Sequence, residues 1–529
     1  MEPGIARSAG AVSAAVALSR LTGLAREMVM ARLFGAGAVY DAYLLGFRIP
    51  NLTRDLFAEG ALSSAFVPSF SRCLAGKGRR EANELGQRLG TVLLLAVTVI
   101  CALGMLFSPQ LVSVLAPGFA RVPGKFELAV ELTRIMFPFL VLVALAAQAM
   151  GMLNAAGRFG VPALASAVFN VSAVTLGLAL GLGMSPIHAM SWGVVLGGMA
   201  QLLWQAPSLM RCGFTFRPRF DWRDAELRSV LRLMGPAVLG SAAVQINIVV
   251  NTNFASSITD AAGRVIDGPV SWLGYAFRFM QLPIGIFGVA IASATLPVIS
   301  RSAALARTEE FRSTLASSLG MTLLLTIPSS AGLAVLGQSM IAAVYQSGKF
   351  QSFDTQQTAL ALAGYAAGLS GYALVKVLAP ALYALGDART PMLVSIGSIA
   401  VNLAAASLMV KLAGFGHVGL ALSTSVNALF AACALYLALS ARLGGVAGRA
   451  LVSSAWKITA ASAVMGCACW AARRALIGWS GDSRWAHLGV VAVCVPAGAL
   501  LFAACARALR IRELAAARDA LRMRRAKLF

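Results

Sequence analysis

Acidic residues are scarce in this chain. Only 21 Asp and Glu stand against 44 Lys and Arg in 529 residues, and charged residues of both signs make up 12%. A soluble chain carries about 25%, so a string of soluble domains counted off by length is excluded. Histidine is nearly absent: His188, His417 and His487 stand singly near the ends of apolar runs. None has metal-ligand spacing or a nucleophile beside it. No metal, no cofactor, no catalytic residue and no enzymatic activity are therefore expected. The eight cysteines lie in or beside apolar segments. Cys467 and Cys469, two apart, would point to nearly opposite faces of a helix, which suits neither chelation nor a redox pair. They read as small buried hydrophobes. No basic run is interleaved with aromatics, so nucleic acid is not an expected partner. Met1–Gly10 runs directly into an arginine-bearing helical pattern with no small-residue cleavage site, so no removable signal peptide is expected.

What the chain has is apolar sequence, 58% of its residues. Runs of roughly 20 residues, each able to cross a ~30 Å hydrocarbon core, recur throughout. They predict about fourteen membrane helices, over roughly 8–34, 40–71, 88–107, 128–155, 160–182, 187–210, 229–254, 270–299, 314–344, 357–384, 391–411, 418–440, 454–476 and 486–506. Placing the N-terminus in the cytoplasm puts about 28 Lys and Arg on the inside and about eight, Lys125 among them, on the outside. Both termini are thus expected in the cytoplasm, and the positive-inside bias absorbs most of the formal charge of +23. The basic tail 507–529 is expected to lie on the anionic cytoplasmic leaflet.

An internal repeat organises the spans. Ala61–Arg72 reads ALSSAFVPSFSR and Ala290–Arg301 reads AIASATLPVISR, 229 positions on. The same offset carries Leu153 to Leu382, Gly157 to Gly386 and Pro162 to Pro391. With one residue of slippage, Gly46-Phe47-Arg48 meets Ala276-Phe277-Arg278. A six-helix unit repeated once predicts two lobes in the same orientation, related by a pseudo-twofold along the membrane normal. The fold expected is an all-α polytopic membrane protein. It divides into a first lobe over 1–212, a second over 213–442, two extra helices over 443–506 and the tail.

Eight basic residues remain inside or at the edges of spans: Arg20, Arg26, Arg32, Arg48, Arg54, Arg134, Arg278 and Lys376. Each costs roughly 2.5–3.5 kcal/mol at mid-membrane unless it meets water or a counter-charge. Spacing offers some counter-charges. Arg20 and Glu27 share a helix face, as do Arg48, Asp55 and Glu59; Arg134 has Glu131 one turn earlier. Arg26, Arg54 and Arg278 have no local acid, and arginine is the side chain suited to two-pronged phosphate binding. The competing reading is salt bridging between helices, with Arg26 meeting Asp41 or Asp55. Pro50-Asn51 and Pro283 with Gly285 fall beside these arginines in both repeats, where broken helices would mark a substrate site. Lys376 could extend a cationic cavity or pair locally.

Several segments then resemble the MurJ/MviN family. They are Ser19-Arg20-x-x-Gly23-x-x-Arg26, ARLFGAG (31–37), Asp41-Ala42, RIPNLTRDLFAEGALSSAFVP (48–68), APGFA (116–120), GPAVLG (235–240), GKF (348–350) and KVLAP (376–380). The likeness runs in order from the first span to the fourteenth. It implies flipping of lipid II, the undecaprenyl-diphosphate-linked peptidoglycan precursor, from the cytoplasmic to the periplasmic leaflet of the inner membrane. Lipid II, membrane lipids and cell-wall synthesis proteins are the implied partners. The resemblance carries the family's cavity arginines onto Arg20, Arg26, Arg54 and Arg278, its second-span acid onto Asp41 and its second-span base onto Arg48. It makes the last two spans a groove for the lipid tail. Glu27 stands where some relatives have Asp, and Gln281 where some carry an acid. Some relatives bind sodium in the second lobe with acids of the seventh span; that span here offers Asn247, Asn251 and Asn253 but no carboxylate, which speaks against sodium coupling. The alternative reading is export of another polyprenyl-diphosphate-linked saccharide or of drugs.

Overall fold

The computed structural model of the protein describes residues 3–54, 65–221 and 223–515, with the side chains of 3–13, 53 and 235–243 left out. Residues 55–64, which hold Asp55 and Glu59, and the tail beyond 515 lie outside the described residues. Among the described residues the chain is helical, with only two isolated β-bridges.

The chain divides into two compact units, Met1–Gly268 and Pro269–Phe529. The first contains α1 (Pro3–Phe34), α2 (Ala38–Arg54), α3 (Val67–Gly76), α4 (Gly78–Leu106), α5 (Ser108–Leu115), α6 (Lys125–Met136), α7 (Phe139–Ala155), α8 (Gly160–Leu180), α9 (Pro186–Arg211) and α10 (Ala225–Ser256). The second contains α11 (Pro269–Pro283), α12 (Val289–Ala304), α13 (Thr308–Tyr345), α14 (Ser352–Ala366), α15 (Leu369–Ala384), α16 (Arg389–Ala406), α17 (Gly416–Leu443), α18 (Gly448–Ser480) and α19 (Arg484–Ala508). By sequence order α10 opens the second repeat; by packing it belongs to the first unit.

Among the described residues nine helical segments are long and apolar enough to cross a membrane, and the pair α14–α15, bent by 43°, makes a tenth. Four more segments complete the order read from the sequence: α1, α2, α9 and α10. Two of these, α1 and α2, carry Arg20, Arg26, Glu27, Asp41, Arg48 and Arg54. Those charged side chains are what marked the two helices as candidates for a site.

The repeat is visible in the helix ends. The offset of 229 carries Phe139–Ala155 to within one residue of α15, and Gly160 onto Arg389, the first residue of α16. Gly157 and Gly386 have φ of 74° and 75°, a left-handed conformation that glycine adopts without a Cβ clash. At the two corners Arg158 N–H donates to the Leu153 carbonyl at 2.8 Å, and Asp387 N–H to Leu382 at 2.9 Å. The same wrap closes both helices. Its chemistry then diverges. Asp387 accepts from the Thr390 hydroxyl at 2.6 Å and amide at 3.0 Å and pairs with Arg442. These contacts, Thr390's above all, hold its carboxyl below the usual carboxylate range.

The helix breaks differ from expectation. Helix α2 continues through Pro50 to Arg54, since membrane helices re-satisfy the one amide a proline removes. The break after Pro283 is present, as a π-helical turn over Ile284–Gly288. A matched pair of breaks lies elsewhere: α6 yields to α7 at Pro138, and α14 to α15 at Gly368.

In the second unit α18 and α19 pack on α13 around Leu324, Leu336, Ile458, Met465, Val490 and Phe502. The far end of α13 is fastened by polar contacts. Arg484 donates to the Ala343 carbonyl at 3.0 Å, Arg473 to Val335 at 3.1 Å, and buried His487 sits 3.1 Å from Ser339 Oγ. Ala343 lies in the last turn of α13, where a cation on a terminal carbonyl is favourable. In the first unit α4 holds the segment before α10. Arg88 pairs with Glu84, Asp221 and Asp224, and Gln87 donates to the Thr215 carbonyl.

Candidate functional site

Arg26 is half-buried in α1. Its guanidinium carbon lies 5.6 Å from the centre of the Phe47 ring and 5.4 Å from that of Phe169. Both lie within cation–π range. Phe139 completes the wall, 5.9 Å from Phe47 and 5.3 Å from Phe169. Among the described residues no carboxylate pairs with Arg26, and the bridge to Asp41 weighed from sequence is not formed. Rings from α2 and α8 therefore meet a cation from α1, with a ring of α7 packed against both.

Small residues build this wall. A Cβ on Gly197 would come within 2.9 Å of the Phe169 carbonyl and 3.1 Å of its ring, and one on Gly198 within 2.7 Å of the Phe139 ring. Glycines let membrane helices approach this closely. Asn170, beside Phe169, donates to the Ser19 carbonyl at 3.3 Å and fixes α8 to α1 one turn from Gly23.

The other candidates are placed as follows. Arg20 is exposed and forms no ion pair among the described residues, so the Arg20–Glu27 pair expected from spacing is absent; Glu27 is buried and has contacts of its own. Arg48 donates to Thr252 Oγ1 of α10 at 2.5 Å. Arg54 is half-buried and Arg278 exposed, each interacting with neighbours; Lys376 is exposed. Arg134 does not use Glu131. It donates to Ser108 Oγ at 2.9 Å and to the Met105 carbonyl.

Asp41 does something else. It is 1% exposed, and its carboxylate accepts from Lys125 Nζ at 2.9 Å and from the Gly268 amide at 2.9 Å. Lys125, 2% exposed, also reaches Asp267 at 2.7 Å and lies 4.3 Å over the Phe119 ring. This ties together the starts of α2 and α6 and the segment leading to α11. Sequence reasoning counted Lys125 as an ordinary outside-loop charge. A signal existed: Gly124-Lys125-Phe126 and Gly348-Lys349-Phe350 are two copies of GKF, each with its glycine at positive φ. Lys349, however, is exposed, so the motif alone does not separate a buried lysine from a solvated one.

The APGFA segment now has a physical account. Phe119 is the ring beneath Lys125, and Gly118 lies so close to α10 that a Cβ would fall 1.9 Å from the Ser256 carbonyl oxygen. Asn253 of α10 donates to the Val114 carbonyl at 2.8 Å.

An all-helical, twice-repeated membrane fold whose polar spans carry arginines defines a polytopic transporter. The family model described as lipid II flippase MurJ matches residues 30–490, and the chain belongs to that family. Curated relatives agree. A lipid II flippase MurJ of Burkholderia cenocepacia is 36% identical over 436 residues, covering 82% of this chain and 83% of its own. A probable lipid II flippase MurJ of Rhizobium meliloti is 37% identical over 411 residues, covering 75% and 74%. Among solved structures, a lipid II flippase MurJ in an inward closed conformation superposes with a TM-score of 0.76 at 24% identity, over 94% of this chain and 99% of that one. An inward-facing multidrug resistance MATE transporter of the MOP superfamily superposes with 0.67 at 15% identity, over 80% and 94%. These two likenesses concern the fold.

Proposed function

We propose that this protein flips lipid II from the cytoplasmic to the periplasmic leaflet of the inner membrane by alternating access, with both termini in the cytoplasm and without chemical change to the lipid. The observation that carries this reading is Arg26: a membrane-helix cation held by two ring faces and, among the described residues, by no carboxylate, with donors to offer a diphosphate. Arg20, Arg54, Arg278 and Lys376 are proposed as further contacts, and Arg48 as a support anchored on Thr252. Asp41, enclosed with Lys125, is assigned a structural role in place of direct substrate contact. An inside-negative potential favours outward movement of the diphosphate by about 2.3 kcal/mol per charge per 100 mV. The two helices α18 and α19 stand outside the repeat, which suits the lipid-tail groove.

Depleting the protein and measuring lipid II leaflet by leaflet tests the reading. Lipid II should accumulate inside, and the parent protein should restore its appearance outside whereas Arg26→Ala should not. Unchanged periplasmic lipid II on depletion would refute it. Geometry at Arg54 is a separate expectation. Arg54→Lys keeps the charge and loses the planar fork, so it should fall well short of the parent in complementation; full complementation would show that charge alone suffices. The topology is checked by cysteine labelling in a background without native cysteines. Positions beside Arg79 and Arg223 should react only from the cytoplasm, and periplasmic reaction would invert the arrangement.

A further inference from the structure

The described residues give Arg26 an unusual setting for a membrane cation. Burying a guanidinium calls for compensation, and three kinds are available: a carboxylate, water, or the face of an aromatic ring. A carboxylate would satisfy the charge and also occupy the N–H donors. A ring face lowers the cost of burial without an oxygen that takes up those N–H donors, because the attraction is to the ring's quadrupole. Here two rings serve, Phe47 at 5.6 Å and Phe169 at 5.4 Å. Their own positions are fixed from behind. Phe139, 1% exposed, lies against both, and Gly197 and Gly198 of α9 leave the room in which Phe169 and Phe139 sit.

We infer that Phe47 and Phe169 are positioning residues for transport. They hold the Arg26 guanidinium in place while leaving its N–H donors unspent for an anionic group of the substrate. The inference rests on the reading of Arg26 as a substrate contact. It predicts a requirement for ring character at 47 and 169 that hydrophobic volume does not meet. Leucine fills much of the space and has no quadrupole; tyrosine and tryptophan retain the ring face.

The test uses the full-length protein in nanodiscs of phosphatidylethanolamine and phosphatidylglycerol, with lipid II as the probe and affinity as the readout. Phe169→Leu should weaken binding roughly five- to thirtyfold, the range a partly desolvated cation–π contact supplies. Phe169→Tyr should stay within about threefold of the parent. A double-mutant cycle with Arg26→Ala separates positioning from general packing. If Phe169 acts through Arg26, adding Phe169→Leu to Arg26→Ala should weaken binding little further. A full additional loss in that background would make Phe169 a packing residue and overturn the proposal, as would parent-like binding by both Phe169→Leu and Phe47→Leu. If Arg26→Ala itself binds like the parent, it is the underlying assignment of Arg26 that fails. Thermal melting of each variant must stay near the parent's; if Phe169→Leu does not fold, the Tyr variant and the Phe47→Leu cycle carry the same decision.

Discussion

Lys125→Met should be among the most damaging single substitutions in this protein, lowering stability by about 3–5 kcal/mol, the usual consequence of removing one partner from a buried ion pair. The side chains of Lys125 and Asp41 are both 1% exposed. Without the ammonium, the Asp41 carboxylate loses the counter-charge that compensates its burial, and a buried charge left without its ion partner is costly. Methionine fills the volume of the lysine stem, so the loss reports on charge and not on a cavity. The pair links positions 84 residues apart and anchors the segment before α11 through Asp267 and Gly268. Its loss should therefore also abolish complementation. Thermal unfolding of the purified protein checks the first part. The double variant Lys125→Met with Asp41→Leu should recover a substantial share of the lost stability, because neither charge is then left unpaired. If Lys125→Met melts with the parent, the buried pair holds nothing together.

Gly118→Ala is expected to cost about 1–3 kcal/mol or more, the range for overpacking a fitted core. The added methyl would sit 1.9 Å from the Ser256 carbonyl oxygen and 2.8 Å from Ser257 Cα. Both are backbone atoms, so no rotamer change relieves the clash and α10 must move away from Pro117–Arg121. That movement would disturb Phe119 and the Lys125 cluster resting on it. Gly160→Ala is the internal control, since a Cβ there has nothing within 4 Å and the residue begins a helix. It should be neutral or stabilising by a few tenths of a kcal/mol. Equal melting temperatures for the Gly118 and Gly160 variants would show that the corner adapts freely.

These expectations could not have been drawn from spacing. Arg20 and Glu27 share a helix face, yet the pair is not formed; Arg134 passes over Glu131 for Ser108 and a carbonyl. Facing along a helix decides which residues can meet within about two turns. It is silent on a neighbouring helix that offers a better-placed acceptor. Proline was misleading for a related reason. Pro50 removes one backbone donor and α2 continues, whereas the break at Gly368 comes where close packing brings a would-be Cβ within 2.5 Å of Ser425.

The number and order of the spans, the internal repeat down to its helix-ending glycines, and the short set of cations that a membrane should not tolerate are all written along the chain. All three are local or periodic properties: apolar length, recurrence at one offset, and charge within an apolar run. How each costly charge is compensated emerges only from the packed helices. Lys125 is enclosed by Asp41, Asp267 and Phe119, Arg48 is bound to Thr252 at a separation of 204 residues, and Arg26 is given the ring faces of Phe47 and Phe169. Compensation is a contact between helices, set by which faces pack and how closely glycine allows them to approach. Partners brought together in that way leave no periodic trace in the chain.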